Sequence, residues 1–167
     1  MPSMYDASIP VFIRSFRNLL KILDKGGAFA KETGLDPREL AAARLIHDMD
    51  PLTSQIQRAS DTAKGVGGRL SGNPAPSFED NETTFDDMRA RIEKTIRYLE
   101  SVPREQIDGT EDKVIELKTR SRAATLSGPD YLFNFALPNF YFHVTTAYDI
   151  LRARGVQIKK MDYIGEL

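Results

Sequence analysis

The chain contains no cysteine. Disulfide bonds, thiolate metal sites, iron–sulfur clusters and cysteine nucleophiles are therefore excluded. The stability of the fold has to come from the packing of side chains. A chain without cysteine is also consistent with a reducing, cytoplasmic location.

The sequence also lacks long apolar runs and an excess of either charge. No apolar stretch is long enough to cross a bilayer, and no basic segment followed by an apolar one stands at the N-terminus. Lysine and arginine number 23 and aspartate and glutamate number 24, so no net field attracts nucleic acid or an anionic membrane. We expect an untargeted cytoplasmic protein that binds neither nucleic acid nor a membrane.

Length and composition indicate a single domain covering residues 1–167. A chain of 167 residues can bury a core but is short for two ordinary domains. Apolar residues make up 41% and charged residues 28%, which is typical of globular rather than disordered proteins.

The first of four predicted amphipathic helices starts near Ser8 and carries apolar residues at three- and four-residue steps. Gly26-Gly27 either ends this helix or loosens it. If the helix continues past the glycines, Ala28–Thr33 adds one or two turns before Gly34. Its opposite face is polar and is expected to be solvated; this face carries Arg14, Arg17, Asn18 and Lys21.

Two further helices are indicated by their start signals. Asp36-Pro37-Arg38-Glu39 supplies an N-cap, a first-turn proline and an N3 glutamate, and an apolar stripe then extends from Leu45 to Leu70. Pro51 either kinks this helix or restarts it with Asp50 as the cap. Thr83 or Thr84 caps the next helix, with Asp86 or Asp87 completing a capping box.

Shorter elements connect these helices. Ser71–Asn81 is a long polar connection, Lys113–Thr119 pairs with Arg122–Leu126 in a predicted hairpin, and Val156–Leu167 is expected to be an ordered flap. Together these features predict an all-α four-helix bundle with long connections.

The stretch Leu132–Gly155 forms the last helix and carries the most informative polar residues. Its inward stripe consists of Phe133, Ala136, Leu137, Phe140, Val144, Ala147 and Leu151. His143 lies about 60° from Phe140 around the helix axis, and Asn139 lies one turn earlier. A histidine at the edge of a core is satisfied by neighbouring polar groups, anchors a ligand, or binds a metal.

Two other chemistries lack support. Lys64–Gly68 is rich in glycine, but it does not complete the phosphate-loop pattern and no strand precedes it. No serine and histidine occur with a third partner in a pattern that indicates a nucleophile.

Four segments resemble the DinB/YfiT-like superfamily of helical bundles and, within it, an uncharacterised domain family. They are Leu-Pro-Asn-Phe-Tyr-Phe-His at 137–143, the helix that continues from it to Gly155, Arg-Leu-Ile-His-Asp-Met at 44–49, and Lys-Met-Asp-Tyr-Ile-Gly at 160–165. The resemblance covers nearly the whole chain and implies a DinB-like four-helix bundle. Many members hold a divalent metal with three histidines, one on the second helix and two spaced by four on the last.

The matching positions of this chain depart from the three-histidine pattern. His143 matches the second histidine of the last helix, but the first falls at Asn139, which is a poor ligand for zinc or nickel. His47 projects about 160° away from the stripe of the second helix, whereas Asp48 and Gln55 flank that stripe. A rotation at Pro51 would bring His47 inward. The candidate metal ligands are His143, Asn139, Asp48 and His47, and the candidate pocket residues are Gln55, Phe140 and Tyr141.

The resemblance leaves three functions open. The first is a bundle of unassigned role with a degenerate or weakly metal-binding pocket around His143. The second is a transferase that depends on a divalent metal, zinc or nickel, and on a small thiol. The third is a dimeric small-ligand-binding or scaffold protein, and we expect a homodimer because such bundles often expose a residual apolar strip.

Overall fold

The computed structural model describes residues 3–118 and 123–166, which contain seven α-helices and one β-hairpin. In chain order these elements are α1 Ile9–Thr33, α2 Pro37–Ala41, α3 Leu52–Ser71, α4 Phe85–Glu100, β1 Ile115–Lys118, β2 Ala123–Leu126, α5 Gly128–Tyr131, α6 Leu137–Ala153 and α7 Lys160–Ile164. A 3₁₀ turn occupies Arg104–Gln106, and a π-helical turn at Leu132–Ala136 joins α5 to α6.

Helices α1, α3, α4 and α6 form the predicted four-helix bundle. Around the bundle, α1 contacts α4, α4 contacts α3, α3 contacts α6 and α6 contacts α1. Phe140 of α6 packs edge-on against Phe12 and Phe16 of α1, with ring centroids 4.7 and 5.1 Å apart, and all three rings are fully buried. The predicted all-α bundle is confirmed.

None of the helices in residues 3–118 and 123–166 combines the length and the hydrophobicity that a membrane crossing requires.

Helix α1 continues through Gly26-Gly27 and ends at Gly34, whose φ of 70° is left-handed. A Cβ at position 26 would lie 2.8 Å from a ring carbon of Phe85. Gly26 therefore allows α4 to approach α1 closely, and the glycine pair does not interrupt the helix.

The segment predicted as the first half of the second helix is mostly a loop. Helix α2 ends at Ala41, residues 42–51 are irregular, and Leu45 is 43% exposed instead of buried in the seam. The restart at Pro51 is confirmed, but Pro51 itself takes the N-cap position of α3, without a side-chain cap from Asp50. Proline disfavours helical geometry in the residue before it and donates no amide hydrogen bond, so the helix cannot continue through this point.

Two other local predictions are confirmed. Thr84 caps α4: its hydroxyl accepts a hydrogen bond from the Asp87 amide, and the Asp87 carboxylate accepts one from the Thr84 amide. The predicted hairpin is present as the antiparallel pair β1 and β2, with Ile115 opposite Leu126. Thr119 and Arg122, the inner ends of the two predicted hairpin segments, lie outside the described residues.

The predicted last helix is not regular, because a π-helical turn precedes α6 and alters which residues face the core. The π-helical turn inserts extra backbone before α6, and Phe133, predicted to face the core, is 50% exposed. Phe140, Val144, Ala147 and Leu151 are buried as predicted. A π turn rotates the preceding residues relative to the following helix, so a stripe drawn at regular helical spacing fails on its N-terminal side.

The C-terminal segment folds back as the predicted flap and packs against α1. Val156 and Ile158 are buried, while Met161 is 59% exposed. Asn18, predicted to be solvated, is only 8% exposed, because its Nδ2 donates hydrogen bonds to the carbonyl oxygens of Tyr163 and Ile164. The flap covers part of the face of α1 that was predicted to be open to solvent.

The long connection between α3 and α4 is fastened by Arg91. Its guanidinium is 1% exposed and pairs at 2.9 Å with the carboxylates of Glu82, Asp80 and Asp61. It also donates a hydrogen bond to the carbonyl oxygen of Glu79. Because Glu82 is itself only 7% exposed, removing Arg91 would leave a buried carboxylate without its main partner.

We expect Arg91→Met to lower the free energy of unfolding by about 3 kcal/mol, the usual cost of breaking a buried ion pair from one side. Urea unfolding monitored by circular dichroism measures this loss. Arg97→Met, an exposed arginine on the same helix, is the matched control and should change stability by less than about 0.5 kcal/mol. Equal stabilities of the two variants would contradict the role assigned to Arg91.

Candidate functional site

His143 lies on the face of α6 that packs against α3, and it is 8% exposed. Its Nδ1 is 2.7 Å from Oε1 of Gln55, which projects from the first turn of α3 and is 2% exposed. The inward orientations predicted for His143 and Gln55 are both confirmed. The site is therefore a buried imidazole–carboxamide pair that joins two helices of the bundle.

A second hydrogen bond fixes the orientation of the Gln55 amide. Gln55 Nε2 donates to the main-chain carbonyl oxygen of Asp50 at 2.9 Å, so the amide oxygen faces the imidazole. An amide oxygen only accepts, so His143 Nδ1 carries the proton and donates it to Gln55. In neutral His143 the other ring nitrogen, Nε2, then carries a lone pair.

The surroundings keep His143 neutral at pH 7. The pKa of His143 is lowered from 6.5 to about 4, mainly by burial and also by the charge of Arg58, while the charge of Asp50 partly opposes both. Arg58 and Asp50 form an ion pair with a nitrogen–oxygen distance of 2.7 Å. The imidazole is therefore a hydrogen-bonding group and not a cation under physiological conditions.

The second ring nitrogen of His143, Nε2, is not part of the hydrogen bond with Gln55. Within residues 3–118 and 123–166, the imidazole makes its hydrogen bond through Nδ1, and Nε2 makes none. In the same part of the chain, one side-chain nitrogen or oxygen is fully buried and lacks a hydrogen-bond partner, and it is Arg91 Nε. His143 Nε2 is not such an atom, so it retains some contact with solvent although the residue is only 8% exposed.

Asn139, one turn before His143, makes a second polar link between the same helices. Its Nδ2 donates to the hydroxyl of Thr62 at 2.7 Å, and that hydroxyl donates to the carbonyl oxygen of Arg58 at 2.8 Å. Asn139 is half-buried. Both links join the same faces of α6 and α3.

The other predicted site residues lie apart from this cluster. His47 and Asp48 are both exposed in the loop of residues 42–51, so the predicted inward position of Asp48 is wrong, while the predicted outward position of His47 is confirmed. The error follows from treating residues 45–51 as helix. Phe140 is a core residue against α1, and Tyr141, 37% exposed, lines a surface pocket beside α7.

Sequence reasoning missed three participants: Asp50, Arg58 and Thr62. Gln55, Arg58 and Thr62 are spaced by three and four residues, so they lie along one side of α3. That polar stripe was a usable signal, because it runs parallel to Asn139 and His143 on α6. The role of the Asp50 carbonyl depends on the turn at Pro51 and had no sequence signal.

The donor set does not fit a zinc or nickel ion. It offers one imidazole nitrogen and two neutral carboxamides, and the Gln55 oxygen already accepts the His143 proton. The nearest carboxylate, that of Asp50, is paired with Arg58, whose positive charge also opposes a cation. Across the described ranges, no three histidine, aspartate or glutamate side chains come together as metal ligands do.

The fold and site together define a four-helix bundle of the DinB type whose core face carries a neutral histidine and two carboxamides. The family model DUF1993, a domain of unknown function, matches residues 4–164. The chain therefore belongs to the DUF1993 family, as its resemblance to an uncharacterised DinB-like family predicted.

A solved structure supports the same assignment. The chain is similar to a DinB family member protein from Shewanella denitrificans whose crystal structure is known. The two sequences are 37% identical, and the two structures superpose with a TM-score of 0.89. The similarity covers 98% of this chain and 92% of that one. Among curated proteins no significant match was found.

The lowered pKa of His143 makes stability depend on pH. The unfolded chain, with a histidine pKa near 6.5, takes up a proton before the folded chain, whose His143 pKa is about 4. The free energy of unfolding should therefore fall by about 3 kcal/mol as pH decreases between these two values. Urea unfolding at half-unit pH steps measures this fall.

The exposed histidine provides the matched control for this measurement. His143→Gln should remove the part of the pH dependence that His143 contributes, whereas His47→Gln should leave the slope as it is in the wild type. An unchanged slope in His143→Gln would show that the folded state does not disfavour protonation of this ring.

Proposed function

We propose that this protein is a metal-independent binding protein for a small, uncharged organic molecule that donates a hydrogen bond to His143 Nε2. The observation that supports this proposal is the Asp50–Gln55–His143 chain of hydrogen bonds. This chain holds the proton on Nδ1 and leaves the Nε2 lone pair able to accept a hydrogen bond. Anchoring by one well-placed polar group beside apolar surface is usual for small-molecule sites.

The pKa of His143 favours binding over base catalysis. A general base works best when its pKa lies near the working pH, whereas the pKa of His143 is about 4. Transfer of a proton to this ring from an alcohol or a thiol is therefore strongly uphill at pH 7. Accepting a hydrogen bond requires no such transfer, so an acceptor role suits the environment of the ring.

The neighbouring groups indicate the chemistry of the ligand. The positive charge of Arg58 close to the imidazole disfavours a cationic ligand. The ring of Phe142, 54% exposed, stands edge-on to the imidazole with centroids 5.2 Å apart and offers an apolar surface beside it. A hydroxyl or N–H donor on an aromatic or aliphatic body matches both features.

The other functions derived from the resemblance have weaker support. A transferase acting through a divalent metal and a small thiol needs ligands that Asn139 and Gln55 do not supply. Homodimer formation and a cytoplasmic location stay predictions. The exposed rings of Phe133 and Phe142 are the feature that favours a dimer.

Phenol is a suitable probe of the His143 site, because it carries one hydroxyl donor on an apolar ring. We expect phenol to shift the ¹⁵N resonance of His143 Nε2, and anisole, which has no donor, to bind about fivefold more weakly. His143→Phe should abolish the difference between phenol and anisole, and His47→Gln should preserve it. Equal binding of the two compounds to the wild type would refute the anchoring role of Nε2.

Metal binding provides a separate test. Untagged wild-type protein incubated with zinc and then gel-filtered should retain far less than one equivalent, measured by mass spectrometry of the metal. The double variant Gln55→His/Asn139→His places three histidines on α3 and α6 and should retain about one equivalent. One equivalent in the wild type that is lost in His143→Ala would instead support the metal-dependent transferase.

A further inference from the structure

A concave site lies between α1 and the C-terminal helix α7. It is a surface pocket of about 390 Å³, and its apolar walls include the rings of Tyr141 and Tyr163 and the side chain of Ile164. Tyr141 and His143 are two residues apart on α6 and therefore point about 200° apart around its axis. The pocket is thus separate from the His143 cluster and does not depend on the function proposed for it.

Arg14 supplies the charge of this pocket. Its Nη2 donates hydrogen bonds of 3.1 Å to the carbonyl oxygens of Ile164 and Glu166, which holds the guanidinium at the pocket. Within the described ranges Nε and Nη1 of Arg14 have no acceptor, and none of the lining residues is acidic. Within residues 3–118 and 123–166, no carboxylate therefore pairs with this guanidinium.

Two hydroxyl groups add to the donors at this site. Ser15 and Tyr141 line the same pocket, and neither side-chain hydroxyl has a hydrogen-bond partner in the part of the chain that the structure describes. The hydroxyl of Tyr163, by contrast, is bonded to Thr145 at 3.0 Å. The pocket thus offers a guanidinium without a carboxylate partner among the described residues and two hydroxyl donors, set among aromatic and aliphatic walls. These groups match a singly charged acceptor group on an apolar body.

The floor of the pocket is held by Asn18. This residue is 8% exposed, and its amide donates to the carbonyl oxygens of Tyr163 and Ile164, so α7 is fixed as one wall. Lys25 and Asp162 form a further ion pair between α1 and α7 at 2.6 Å. The wall that α7 forms is therefore bonded to α1 at several points.

We infer that this pocket binds a small aromatic carboxylate, with the carboxylate on Arg14, Ser15 and Tyr141 and the ring against Tyr163 and Ile164. A carboxylate carries the one negative charge that a single arginine neutralises, and its two oxygens accept several hydrogen bonds at once. A cavity of about 390 Å³ has room for a bicyclic ring.

The probe for this inference is 2-naphthoate, with 2-naphthamide as its uncharged counterpart. Titration followed by ¹H–¹⁵N NMR should shift the amide signals of Ser15 and Tyr163, and naphthamide should bind at least about tenfold more weakly. Arg14→Gln should weaken naphthoate binding about tenfold or more. Arg17 is an exposed arginine of α1 that pairs with Glu100 of α4, and Arg17→Gln should leave naphthoate binding unchanged.

A second variant separates binding from packing of the tail. Arg14 also holds the C-terminal segment, so Tyr141→Phe is used to remove one hydroxyl donor without touching that contact; it should weaken naphthoate binding severalfold and leave the unfolding midpoint in place. The inference is overturned if naphthoate causes no shifts at millimolar concentration, if naphthamide binds equally well, or if Arg14→Gln binds naphthoate like the wild type.

Discussion

The packing of α6 against α1 and α3 is the constraint on which the core and the His143 site both depend. Phe140 fills the space between Phe12 and Phe16 on one side of α6. On the α3 side, Ala59 and Ala63 are completely buried and let the helices approach closely. A buried aromatic ring stabilises a core by several kcal/mol, so the rotation of α6 is set by apolar packing. His143 and Asn139 then have to face α3.

The polar links between α3 and α6 are a consequence of that rotation. A buried imidazole or amide without partners is costly, and Gln55 and Thr62 meet this requirement at 2.7 Å each. In a three-histidine bundle the metal ion joins the two helices, whereas here the side chains bond each other directly. The same placement that makes the site unsuited to zinc gives His143 a fixed proton on Nδ1 and a lone pair on Nε2.

Hydrogen bonds from helix side chains to main-chain carbonyl groups recur in this structure and hold segments outside the bundle. Polar side chains on the helices donate to main-chain carbonyl oxygens of the α3–α4 connection, Arg91 to Glu79 and Lys64 to Pro76. They donate likewise to the last turn of α7, Asn18 to Tyr163 and Arg14 to Ile164. Carbonyl groups in loops lack helical partners, and each such bond satisfies one of them. The pocket beside α7 exists because these hydrogen bonds hold α7 against α1.

The amino-acid sequence by itself determined the four helical stripes, the capping box at Thr84, the hairpin and the presence of His143 at the core. These features are local, because the spacing of apolar residues and the chemistry of a helix start are complete within a few turns. The stripe of α1 and the core positions from Phe140 to Leu151 were predictable for that reason.

Only the tertiary structure decided which polar residues meet. The loop of residues 42–51 and the π turn before α6 change the phase of the helices, so Asp48 and Phe133 point to solvent although regular spacing placed them inward. The burial of Asn18 and the pairing of Gln55 with His143 depend on contacts between segments more than 80 residues apart in sequence. Periodicity defines the faces of one helix, but the rotation of that helix against its neighbours is set by packing in three dimensions.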